Sequence, residues 1–98
     1  MYTINKKITK SRTHQLERII KGYSNHRRIE IIVLLSEYPE LSVGEIADIA
    51  QVNFKTISEH IRRLTLSGIV VKRAEGAAVR HALTDRGQRI LQFLKSME

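Results

Sequence analysis

The chain has 98 residues, 42% of them hydrophobic, with no Cys and a formal net charge of +7. That length sustains one domain with a single core, the apolar content excludes a disordered chain, and the missing thiols exclude disulfide staples and Cys metal sites. No long apolar run marks a signal peptide or a membrane span, which points to the cytoplasm, and the surplus positive charge favours a polyanionic partner.

Residues 1–12 form a basic N-terminal arm with Lys6, Lys7, Lys10 and Arg12 and no clear period. A loose terminus is favoured there over a DNA contact. From Thr13 to Gly22, Leu16, Ile19 and Ile20 make a narrow apolar stripe, the mark of a docking helix ended by Gly22. Ser24 or Asn25 then caps a helix in which Ile29, Ile32, Val33, Leu35 and Tyr38 face the core before Pro39 stops it. Arg27 and Arg28 lie at its start, where free N–H groups attract phosphate; solvation or pairing with Glu30 is the equal alternative.

Ser42, with Glu45 three residues on, has the form of a capping box, so a helix begins near Val43 with Ile46, Ala47, Ile49 and Ala50 as its apolar stripe. Gln51-Val52-Asn53 breaks the pattern, and Asn53 caps a second helix whose Phe54, Ile57, Ile61 and Leu64 recur at spacings of three and four. Its opposite face carries Lys55, Thr56, Glu59, Arg62 and Arg63. Two short helices around a tight turn, the second presenting long hydrogen-bonding side chains, match a helix-turn-helix with a recognition helix for the major groove. The plain alternative is an ordinary helix pair with a solvated outer face.

Ser67-Gly68 stops that helix, and the period changes. Residues 69–73 and 78–83 are β-branched-rich runs around Ala74-Glu75-Gly76-Ala77, a hairpin carrying Lys72, Arg73, Arg80 and His81. Its place after a recognition helix makes it a wing rather than an edge hairpin guarded by charge. Thr84-Asp85 caps a last helix, residues 85–97, in which Ile90, Leu91, Phe93, Leu94 and Met97 form a wide stripe. Ile90, Phe93, Leu94 and Met97, together with Leu16, Ile19 and Ile20 of residues 13–22, are expected to pair with a second copy; both helices folded onto one monomeric core is the alternative.

Charge is segregated along this plan. Residues 1–28 hold eight Lys and Arg against one Glu, residues 29–51 five acids and no base, and residues 53–81 six bases against two acids. Two segments facing phosphates and a middle one turned away would give that distribution.

Asn25 to Leu94 resembles the winged helix-turn-helix of ArsR-type transcriptional repressors, with some MarR-type features. The segment RRIEIIVLLSEYPELSVGEIADIAQVNFKTISEHIRRLTLSGIVVKR carries the likeness, TISEHIRRL followed by SGIV being its most specific part, and HALTDRG is similar to the end of the wing and the start of the last helix. The resemblance implies a mainly α fold of about five helices and a small two-stranded β-hairpin. Lys55, Thr56, Glu59 and Arg62 would then face the major groove, Asn53 and Ser58 would lie near phosphate, and Arg63 would sit at the groove's edge. His60 falls in an SxHL-like pattern, as a packing residue.

One departure is chemical. Metal-sensing members carry ELCVCDL where this chain has Glu40-Leu41-Ser42-Val43-Gly44-Glu45-Ile46, so the two thiolates are replaced by Ser42 and Gly44. The last helix region has no His and offers only Asp85 and Glu98 as carboxylates, so neither a metal nor any cofactor is expected. Residues 13–98 thus read as one winged helix-turn-helix domain of a dimeric repressor that binds double-stranded DNA at a palindromic operator. Arg27, Arg28, Lys72, Arg73 and Arg80 are the expected phosphate contacts, with His81 beside them on the wing. A protein-docking winged helix is the alternative, RNA lacks a stacking platform, and no phosphate loop or nucleophile signature suggests an enzyme.

Overall fold

The computed structural model describes residues 8–98, in the order α1 (Lys10–Tyr23), α2 (His26–Glu37), α3 (Val43–Ala50), α4 (Phe54–Leu66), β1 (Val70–Glu75), β2 (Ala78–Leu83) and α5 (Asp85–Ser96). Five helices and a two-stranded antiparallel hairpin make a winged helix, as expected. The first seven residues of the expected arm lie outside the described part. α1 starts three residues before Thr13, because the Thr9 hydroxyl accepts from the Arg12 N–H and caps the helix.

Gly22 does not end α1; it is buried in the last turn, and Tyr23 follows it in the helix. A Cβ at Gly22 would collide with the Ser67 hydroxyl just past α4, so its bare backbone lets α1 approach the end of α4. Ser24 closes α1, and the Asn25 carboxamide oxygen caps α2 by accepting from the Arg27 and Arg28 N–H groups at 2.9 and 3.3 Å.

The core joins Ile31, Ile32 and Leu35 of α2, Ile46 of α3, Ile57, Ile61 and Leu64 of α4, Ile69 and Val70 at the hairpin's start and Leu91 of α5. Several residues on the expected stripes lie outside it. Val33, Tyr38, Ile49 and Phe54 are all exposed, Phe54 by 59%. Phe54 is the first residue of α4, and there it lines an open cleft toward the hairpin instead of entering the core.

Gly76, at φ 61°, makes the two-residue connection between β1 and β2. The hairpin is tied back to the segment before α3: Glu40 N–H donates to the His81 carbonyl at 3.0 Å, and His81 N–H to the Leu41 carbonyl at 2.9 Å. This short bridge fixes the wing's base against the helix-turn-helix.

Candidate nucleic-acid interface

The α3–α4 pair is shaped by local hydrogen bonds at the start of α3 and in the turn that follows it. The Ser42 hydroxyl accepts from Glu45 N–H at 3.1 Å while the Glu45 carboxylate accepts from Ser42 N–H at 2.9 Å, closing the expected capping box. These bonds hold the Glu45 carboxyl below the usual carboxylate range. Gln51, at φ 55°, reverses the chain in the left-handed region, and Asn53 Oδ1 then accepts from Lys55 and Thr56 N–H at 2.7 and 3.4 Å. That oxygen is committed to the cap, so of the Asn53 carboxamide only the NH2 remains for a phosphate.

Ile57, Ile61 and Leu64 seat α4 in the core with at most 1% exposure. The helical period therefore turns Lys55, Thr56, Ser58, Glu59, Arg62 and Arg63 outward, and all six are exposed. They form one connected surface. Arg62 binds Glu59 bidentately at 2.9 and 2.6 Å, and Arg63 reaches the same carboxylate at 3.4 Å. The Arg62 hydrogen bonds lead in drawing the Glu59 carboxyl down to about 2, so it stays ionised at any ordinary pH. Each partner of these pairs is more than half exposed, and such pairs are weak enough for a base edge or a phosphate to replace them.

The wing is less available than its composition suggests. Arg73 binds Glu40 at 2.6 Å. Arg80 donates to the Glu40 carbonyl at 2.9 Å and lies 3.6 and 3.9 Å from the Glu45 and Glu75 carboxylates. Lys72 alone of the hairpin's expected contacts is an exposed cation with no ion pair among the described residues; it lines a cleft of about 650 Å³ together with Ser58 and Arg62. Phe54 and Val79 supply apolar lining to this cleft, which the helical period did not reveal because it assigned Phe54 to the core.

Two expected contacts are overturned. His81 is 1% exposed, and its Nδ1 pairs with the Leu41 carbonyl at 3.0 Å, so it pins the wing from inside and does not reach DNA. Arg28 turns back from the start of α2: its guanidinium donates to the carbonyls of Lys21 and Gly22 at 3.3 and 3.1 Å and to His60 Nδ1 at 3.2 Å. It satisfies orphan carbonyls at the end of α1 and is spent on the fold. Arg27, half-buried and paired with Glu30 at 3.2 Å, keeps only a partial claim on phosphate.

His60 is half-buried and packs as expected. Burial, and then the Arg28 cation, hold its imidazole below its ordinary 6.5. The unfolded chain therefore takes up a proton near pH 6.5 that the native state refuses, so stability present above that pH is lost as pH falls below it. His60→Gln is expected to flatten the fall of the thermal midpoint between about pH 7 and 5. A slope identical to that of the parent would exclude His60 as its source.

The terminal helices border a shared depression. Leu16, Ile19, Ile20, Ile90 and Phe93 line one depression of about 260 Å³ between α1 and α5. Ile20, Phe93 and Met97 are each at least half exposed, while Leu94 and Ile90 also lean on the core. Among the described residues no three His, Asp or Glu side chains stand together as a metal-ligand set, and no helix is long and apolar enough to cross a membrane.

A model of the arsR family of bacterial regulatory proteins matches residues 25–72. The chain is 32% identical over 80 residues to a Staphylococcus aureus homologue of the cadmium resistance transcriptional regulatory protein CadC, an overlap of 82% of this chain and 66% of that protein. It is also 32% identical over 66 residues to the transcriptional activator HlyU of Vibrio cholerae, covering 67% of this chain and 60% of HlyU. The chain thus spans less than two thirds of the length of either relative. Among solved structures, the homodimeric winged helix-turn-helix DNA-binding domain of a Mycobacterium bovis protein superposes with a TM-score of 0.83 at 24% identity, covering 99% of this chain and 89% of that one.

Proposed function

The chain belongs to the ArsR family of bacterial regulatory proteins, and from that membership we propose that it is a sequence-specific regulator that binds double-stranded DNA as a homodimer and represses by occupying a palindromic operator. The observation that carries the proposal is the row Lys55, Thr56, Glu59 and Arg62, held outward at the capped end of α4 by three fully seated apolar residues. Arg62 and Lys55 are suited to guanine O6 and N7, Glu59 to cytosine N4, and Thr56 to a donor, an acceptor or a thymine methyl. Lys72, and to a lesser degree Arg27, supply phosphate contacts that position the helix. The apolar face of α1 and α5 is the proposed dimer surface, and the homodimeric M. bovis domain of the same fold supports it. The regulator is placed in the cytoplasm and is proposed to need no metal, since a chain without Cys offers no thiolate set.

Selecting bound sites from random duplex DNA tests the proposal. A palindrome with half-sites about one helical turn, ~34–36 Å, apart is the expected result. Failure to enrich any sequence, or binding indifferent to salt, would favour a protein-docking role instead. On the selected operator Arg62→Ala is expected to cost about 1–3 kcal/mol and to relax the choice of one base, whereas Lys72→Ala weakens operator and scrambled duplex alike. Titration of both variants against both duplexes checks this; matching losses would remove the division between reading and positioning. A reporter gene behind the operator should be silenced when the protein is expressed, and stimulation would overturn the repressor assignment.

A further inference from the structure

Resting on the DNA-binding reading, we propose that the groove between α1 and the end of α4 holds a duplex phosphate backbone, on the side of the recognition helix opposite the wing. The groove encloses about 620 Å³ and is lined by five cations, Arg12, Arg18, Lys21, Arg63 and Arg86, with no carboxylate among its lining residues. Its floor exists because Gly22 has no side chain to strike Ser67. Arg86 is fixed at one end by donating to the Ser67 carbonyl at 2.9 Å.

The position follows from the helical period. Successive residues of α4 are turned by about 100°, so Arg62 and Arg63 leave the Lys55–Glu59 row on opposite sides. Arg62 lines the cleft toward the wing with Lys72, whereas Arg63 lines the groove toward α1. A helix in a major groove about 12 Å wide lies between two phosphate strands. The wing meets one strand, and the α1 groove meets the other.

Charge favours the same assignment. Carboxylates hold Arg73 and Arg80 on the wing. In the groove, Arg18 has no ion pair among the described residues, and Lys21 meets Glu17 at 3.5 Å with side chains 74% and 56% exposed. Arg63 makes only the longest of the three Glu59 bonds. Phosphates displace exposed pairs of this kind readily, so the groove carries at least as much usable positive charge as the wing.

The test uses the full chain and the duplex selected by the parent, comparing parent, Arg18→Ala with Lys21→Ala, and Lys72→Ala. Removing two phosphate contacts from each protomer of the dimer lowers the slope of log K against log salt by about 3.6, so between about 50 and 200 mM salt the parent should lose roughly 150-fold more affinity than the double variant. Phosphate ethylation should stop interfering on one flank of the major groove in the double variant, and on the other flank in Lys72→Ala. The charge-preserving exchange Arg18→Lys with Lys21→Arg should restore the parental slope. A double variant with the parental slope, beside a Lys72→Ala variant whose slope falls, would overturn this proposal and leave the regulator reading intact. Failure of the charge-preserving exchange to restore the slope would overturn it as well, while a parent without salt-dependent DNA binding would overturn both.

Discussion

Ile57→Ala is expected to lower the unfolding free energy by about 2–5 kcal/mol, the range for emptying a fully buried aliphatic site. Ile57 has no exposed surface and seats the N-terminal half of α4, the half that carries Lys55, Thr56 and Glu59. In a domain of this size stability totals about 5–15 kcal/mol, so the loss is a large fraction of the whole. The thermal midpoint should fall by at least about 8 °C at fixed protein concentration, the concentration mattering because a dimer's midpoint depends on it. Phe54→Ala supplies the contrast, since Phe54 shares the same helical stripe but is 59% exposed. Its cost should stay within about 0.5 kcal/mol. Circular dichroism melts of the two variants decide the matter; equal falls would mean that α4 is seated by its whole stripe, Phe54 included.

The second large effect is at Gly87. Replacing a helical Gly by Ala ordinarily gains up to about 1 kcal/mol. Here the added Cβ would collide with the Ile69 carbonyl oxygen and press on Leu83 Cδ2 at 3.1 Å. Neither neighbour gives way easily. The Ile69 carbonyl accepts from Thr84 N–H at 3.0 Å, and Ile69 N–H donates to the Leu64 carbonyl at 3.0 Å, so this backbone joins the end of α4 to the start of α5. The Thr84 hydroxyl, which accepts from Gly87 N–H at 3.1 Å, donates into the same carbonyl pair at Gly68 and Ile69. α5 must therefore lift as a unit, and Gly87→Ala should cost about 1–3 kcal/mol or more, as overpacking does. Denaturant unfolding should show a lower midpoint with an unchanged slope. A gain in stability would show that the first turn of α5 is free to move.

Elements whose cause lies within three or four residues were legible before any coordinates. Ser42 and Glu45 cap each other, Asn53 caps the recognition helix, Thr84 caps the last one, and Gly76 turns the hairpin, because in each case the hydrogen-bond partner or the required backbone angle is local. The family likeness reached the same elements through TISEHIRRL and SGIV. Where a side chain's fate depended on a distant segment, composition misled. Arg28 looks like a phosphate ligand until the carbonyls ending α1 come within reach, and His81 looks like a wing cation until the segment carrying Leu41 closes over it. Arg73 and Arg80 read as free charge because Glu40, which engages both, lies 33 and 40 residues away in the chain.

From its order of residues alone, then, the chain dictates where α2, α3, α4 and α5 start, which turn is the hairpin, and that the outer face of α4 is polar, since these follow from backbone angles and short-range hydrogen bonds. Which apolar residues are covered, which cations remain unpaired, and where α1 may touch α4 were decided only on packing. Burial and ion pairing belong to whatever lies opposite a residue in space, and a linear period carries no record of that.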